Sequence, residues 1–221
     1  VINAGSFSVW RLFFSNKMRF WVIGNDGGLL DAPHATTSLR LSPAERVDIL
    51  VDFSTLAPGE TVELRNDEAP PGQAAIIGEV TMPLFCRFRA GANRGFQGAV
   101  PTTLRGGRRQ PARLAPLTRP TKHRTVTILQ DSEIRMPPSI MSLNNLRFTT
   151  DDIEKPVQGS TEIWDMVNIT PDPHAIHVHL VHMRILERVA LNTGAYTLTH
   201  PKPAAGVRWT PSADKFTIGA P

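Results

Sequence analysis

The chain has 221 residues, 41% of them hydrophobic, enough for one large core or two modest ones, and the composition excludes a disordered chain. No apolar run approaches the ~20 residues of a membrane-spanning helix, so no membrane association is expected. The net charge of +4 comes from one segment: residues 87–124 hold ten Lys or Arg and no acid, while the remainder holds 14 basic against 20 acidic residues. That segment has no interleaved Tyr or Trp on which bases would stack, which argues against nucleic acid as a partner.

From the N-terminus to about residue 90 the pattern is that of short strands. FSVWRLFF (7–14) is rich in β-branched and aromatic residues, RFWVIG (19–24) follows, and NDGG (25–28) is a strong turn signal. In ERVDILVDF (45–53), Val47, Ile49, Val51 and Phe53 share one face, with Arg46, Asp48 and Asp52 opposite. TVELR (61–65) repeats this alternation. The regular spacing of the acids marks a solvated face, not paired catalytic carboxylates. His34 falls in DAPHATT, which reads as a loop, and the Gly pair of IGNDGGLL lacks the GxGxxG spacing of a phosphate loop. Cys86, the only cysteine, lies in LFCRFR between Phe85 and Phe88 and reads as a buried structural thiol rather than a metal ligand.

Residues 91–120 are rich in Gly, Pro and Arg and read as a solvated interdomain linker. Strands then resume: RTVTILQ (124–130), IMSLNNLRF (140–148) with Asn144 and Asn145 as a tight turn, and TEIWDMVN (161–168). MRILERVA (183–190) reads as a further strand, and residues 191–221 as polar, Pro-rich and without a clear strand. Asn168, Ile169 and Thr170 form a glycosylation sequon weakened by Pro171. Two sandwich-like domains are expected, residues 1–90 and 121–221, in an all-β chain.

The most informative stretch is HAIHVH, residues 174–179, followed by Leu180, Val181 and His182. Three imidazoles flanked by aliphatic residues read as a short buried strand that carries nitrogen ligands. Side chains alternate along a strand, so His177 and His179 face one way and His174 the other. One site using all three requires a bend, whereas two sites on opposite faces do not. Neutral imidazole suits copper, zinc, iron and nickel, so the ligands alone do not choose the metal. His182, His34 and His123 read as structural or solvent histidines, and His200 would reach a metal only by folding back.

HAIHVHLV resembles the HPIHLHLV type of motif in the third domain of multicopper oxidases, the family of laccases, bilirubin oxidase and phenoxazinone synthase. Ala175 and Val178 depart from the usual proline and leucine, and neither change removes a ligand. VINAGSFSVWRLFF (1–14), IGNDGGLL (23–30), LSPAERVDILVDFS (41–54) and GSTEIWDMVNIT (159–170) also resemble bacterial laccases of the spore-coat type. The resemblance implies cupredoxin-like Greek-key sandwiches, with residues 1–90 matching part of a second domain and 121–221 part of a third. It implies copper as the cofactor, with His174 on the mononuclear type 1 copper and His177 and His179 on the trinuclear cluster. Phenols or aromatic amines are the implied substrates, with O2 as the electron acceptor. The paired HxH motifs and terminal HCH motif of the family are not found in these 221 residues, which leads to an expectation of self-association or of a partner chain completing the domains. A non-catalytic cupredoxin-like fragment is an alternative. A mononuclear site built from His177 and His179 with a carboxylate or His200 is another.

Overall fold

Alternation of large apolar with polar residues forms β1 (Trp10–Phe14), which buries Trp10, Leu12 and Phe14 and leaves Arg11 outside. The same period turns Phe20 and Val22 of β2 (Phe20–Asn25) inward. The computed structural model describes residues 1–5, 8–68, 82–92, 95, 98–132, 139–181 and 183–219. They fall into two compact units, Val1–Leu114 with Ala175–Met183, and Ala115–His174 with Arg184–Pro221.

In the first unit two antiparallel sheets share one core. One has the order β4-β1-β6-β7, from β4 (Ser38–Leu41), β1, β6 (Thr61–Asn66) and β7 (Leu84–Arg89). The other has the order β3-β2-β5, from β3 (Gly28–Thr36), β2 and β5 (Val47–Val51). The chain passes from sheet to sheet between β1 and β2, between β3 and β4, between β4 and β5, and between β5 and β6. Both sheets send residues to one cluster of Trp10, Leu12, Phe14, Phe20, Val22, Leu41, Val47, Val62 and Leu64. Phe14 sits at its centre, with ring centroids 5.8 Å from Phe20, 6.1 Å from Phe53 and 6.0 Å from Phe88.

Asn3 is fully buried and satisfied. Its Nδ2 donates to the carbonyls of Ser8 (2.8 Å) and Leu41 (2.9 Å), and its Oδ1 accepts from Gly5 N. The predicted NDGG turn closes the β2-β3 hairpin, with Asn25 opposite Gly28. Gly28 has φ +96°, a conformation that glycine adopts without steric cost.

Three expectations are corrected in this unit. The DAPHATT stretch is not a loop but part of β3, where His34 pairs with Val22. The strand tolerates Pro33 because it is the sheet edge. Cys86 is exposed, not buried. β7 is also an edge strand, and an irregularity opposite Leu64 and Arg65 skips Phe85 in the pairing. Phe85 therefore turns onto Trp10, at a centroid distance of 4.6 Å, and the thiol is left outside. The Arg/Gly/Pro segment is not solvated throughout: Leu104 N donates to Asp31 O (2.8 Å) and Arg105 Nε to Leu29 O (2.8 Å), which pins it along β3.

The second unit is built on β8 (Lys122–Ser132), which pairs parallel with β10 (Glu162–Asn168) and antiparallel with β9 (Ser139–Leu143). Asn144 and Asn145 form the expected tight turn, with φ of 57° and 64°. Residues 191–221, expected to be irregular, instead supply two of the four buried residues in this unit's core cluster. Asn192 caps α1 (Thr193–Thr199) by accepting from Ala195 N, and β11 (Ala190–Leu191) pairs with β12 (Thr217–Ile218). Tyr196 and Trp209 are buried with Leu129 and Val167, and the Tyr196 hydroxyl donates to Pro211 O at 2.7 Å. A seven-residue helix is too short to produce a readable apolar period.

The strand expected at 183–190 is also corrected. Only Ala190 and Leu191 pair, while Met183, Ile185 and Leu186 are 58%, 66% and 68% exposed.

A charged network holds β8 to the loops around it. Arg124 binds Glu162 (2.5 Å) and Glu154 (2.6 Å), and Arg208 binds Glu154 and Asp152. The Arg124 hydrogen bond, against the opposing effect of burial and with help from Trp164 Nε1, lowers the Glu162 carboxyl from its usual 4.5 to about 2. A depressed carboxylate pKa stabilises the fold above the unfolded value and loses that contribution as pH falls from about 4.5 to about 2. Urea midpoints measured across this window should fall more steeply for the wild type than for Glu162→Gln. Parallel pH profiles would mean that the carboxylate does not hold Arg124.

Candidate metal centre

His174 follows directly from β10. Asn168 ends the strand and folds the next six residues back on its own side chain: Nδ2 donates to Asp172 O (2.7 Å), and Oδ1 accepts from Thr170 N (2.9 Å) and Thr170 Oγ1 (2.8 Å). Thr170 Oγ1 also lies 2.9 Å from Asp172 O and 2.6 Å from His174 Nε2. The sequon is thus a structural turn whose last hydroxyl touches a histidine. His174 Nδ1 has no hydrogen-bond partner among the described residues, and the ring is half-buried.

From His174 onward exposure alternates residue by residue. His174, Ile176 and Val178 are half-buried, whereas Ala175, His177 and His179 are exposed. The segment is not the paired strand expected, because residues 173–178 lack ladder hydrogen bonds. His177 and His179 nevertheless come together without a sheet. Their rings meet edge to face, with centroids 4.7 Å apart at 90°. The next residue, Leu180, has φ 70° and is fully exposed.

Imidazole is the right kind of donor for copper, and two of these rings converge. The number is short of a closed site: among the described residues no group of three or more His, Cys, Asp or Glu comes together. The alternative mononuclear site, with a carboxylate or His200 joining His177 and His179, therefore does not form among the described residues. His200 ends α1 instead, with its ring edge-on to Tyr196 and Phe216 at 5.4 Å each. His123 is exposed and lies 2.7 Å from Asp165 on the neighbouring parallel strand. His182 lies outside the described residues. The sequence reading overlooked Asn168 and Thr170 as groups acting on His174, although a sequon four residues before a histidine places a turn-forming Asx side chain there.

The strand-rich architecture, with a two-sheet Greek-key sandwich and an imidazole-bearing segment, defines an all-β chain of cupredoxin-like class. Comparison with known proteins makes this more particular. The chain is 32% identical over 200 residues to a laccase of Bacillus subtilis (strain 168), covering 89% of this chain and 37% of that protein. It is 30% identical over 192 residues to the multicopper oxidase LPR1 of Arabidopsis thaliana, covering 86% of this chain and 32% of that one. Among solved structures, the McoA multicopper oxidase of Aquifex aeolicus superposes with a TM-score of 0.63 at 25% identity, covering 97% of this chain and 44% of that one. No family model matches the chain. The chain is homologous to a section of the multicopper oxidases, laccases among them, and spans about a third of the length of these curated relatives.

Proposed function

We propose that this chain carries part of the copper-binding apparatus of a laccase-like oxidase, which takes single electrons from small phenols or aromatic amines and passes four of them, with four protons, to O2 to give two waters. The observation that supports it most is the edge-to-face meeting of the His177 and His179 rings, in a chain homologous to laccases. Copper, when bound, supplies the one-electron redox chemistry. The residues hold and orient it: His174 would be a ligand of the mononuclear type 1 copper, and His177 and His179 would serve the trinuclear group.

Two exposed imidazoles and one half-buried imidazole cannot by themselves exclude water from a metal. The neighbouring apolar side chains of Leu180, Val181, Met183, Ile185 and Leu186, all more than half exposed, support a reading in which further polypeptide covers this segment. Self-association or a partner chain would supply that cover.

The test is copper quantification with electron paramagnetic resonance on His174→Ala, His177→Ala and His179→Ala, in the form of the protein that shows oxidase activity. Loss of His174 is expected to abolish substrate oxidation while the type 2 copper signal persists. Loss of His177 or His179 is expected to deplete the trinuclear signal while type 1 copper is retained. Depletion of one common signal by all three would overturn the division.

A further inference from the structure

The turn before the histidine segment contains more hydrogen-bond specification than a chain reversal needs. Asn168 is fixed in orientation, because Thr170 N can only donate to Oδ1, and Asp172 O at 2.7 Å can only accept from Nδ2. Thr170 Oγ1 then faces two oxygens that can only accept, Asn168 Oδ1 at 2.8 Å and Asp172 O at 2.9 Å. Its single proton must go to one or be shared between them. A bare lone pair on His174 Nε2, 2.6 Å away, would compete for that O–H as a third acceptor and leave the hydroxyl oxygen, whose one other donor is the distant Asp172 N–H at 3.3 Å, with no proton toward either oxygen of the turn. A protonated Nε2 removes the conflict, since the hydroxyl accepts from the ring and donates to the turn.

We propose that Asn168 and Thr170 are positioning residues that hold His174 in a single tautomer, with the proton on Nε2 donated to Thr170 Oγ1 and the lone pair of Nδ1 presented to a metal. The turn thereby selects which nitrogen is the ligand before any metal arrives, and sets the ring plane at the same time. A ligating imidazole whose other nitrogen donates to a fixed acceptor loses less orientational freedom on metal binding. The value of this arrangement for a metal rests on the copper reading above, whereas the tautomer itself does not.

Both are separable by nitrogen-15 NMR of the histidine rings in the metal-free 221-residue chain, at a pH where imidazole is neutral, followed by anaerobic addition of copper(I) to the form that shows oxidase activity. The wild type is expected to show His174 protonated at Nε2, with that proton protected from exchange with water. Thr170→Ser, which keeps the hydroxyl, should retain the protection, and Thr170→Val, close in shape but without it, should lose it. A wild-type His174 protonated at Nδ1, or an Nε2 proton exchanging as fast as that of free imidazole, overturns the proposal without recourse to any variant. Protection that survives in Thr170→Val overturns the role of Thr170. If protection follows the hydroxyl but copper bound in the form that shows oxidase activity leaves Nδ1 of His174 unmoved, the positioning inference stands and the copper reading fails.

Discussion

Replacing Phe14 by alanine is expected to destabilise the first unit by about 3–5 kcal/mol, the range for deleting a buried aromatic ring. Phe14 is 1% exposed, and its ring touches those of Phe20, Phe53 and Phe88, so the vacated space is walled by side chains from both sheets and from β7. Phe20 and Phe88 are held in their own ladders, which limits collapse into the cavity. Phe14→Leu, which keeps most of the volume, should cost roughly half as much. Urea denaturation followed by circular dichroism measures both. A loss below about 1 kcal/mol for the alanine variant would show that the two sheets do not share this core.

The second large effect is expected at Asn144. It occupies φ 57°, its Oδ1 accepts from the buried Thr127 N at 2.9 Å, and its Nδ2 donates to Glu154 Oε1 at 3.2 Å. Its own backbone extends the tie, since Asn144 N donates to Thr127 O and Asn144 O accepts from Trp209 N. Asn144→Ala orphans the Thr127 N–H, at about 1–3 kcal/mol, and keeps a Cβ in the left-handed region without the side-chain bonds that favour it, at about 1 kcal/mol more. Asn144→Gly loses the same bonds but relieves the backbone, so the stability order should be wild type, then glycine, then alanine. Equal losses for the two variants would mean that the backbone conformation at this turn costs nothing.

Much of the local structure was legible because its physics is local. The period-two face of Val47, Ile49 and Val51 lies against the core cluster, and the turns at Asn144-Asn145 and Asn25–Gly28 needed only residues that tolerate positive φ at Asn144, Asn145 and Gly28. The ladder expected over HAIHVH is absent, yet His177 and His179 still bring their rings within 4.7 Å of each other.

Other features have no local cause. Tyr196 and Trp209 become core residues only because β8 and β10 supply Leu129 and Val167 for them to cover, and Thr127 Oγ1 reaches Trp209 O at 2.6 Å across 82 residues. The same holds for Asn3, whose buried amide is satisfied by a carbonyl 38 residues away. Cys86 is exposed because β7 is the last strand of its sheet and an irregular pairing turned Phe85 inward instead, neither of which is written in LFCRFR. The residue types of HAIHVH determined that this chain offers three imidazoles within six residues. Only the tertiary structure decided which nitrogen of His174 is engaged, because that depends on where Asn168, Thr170 and Asp172 come to rest after β10 ends.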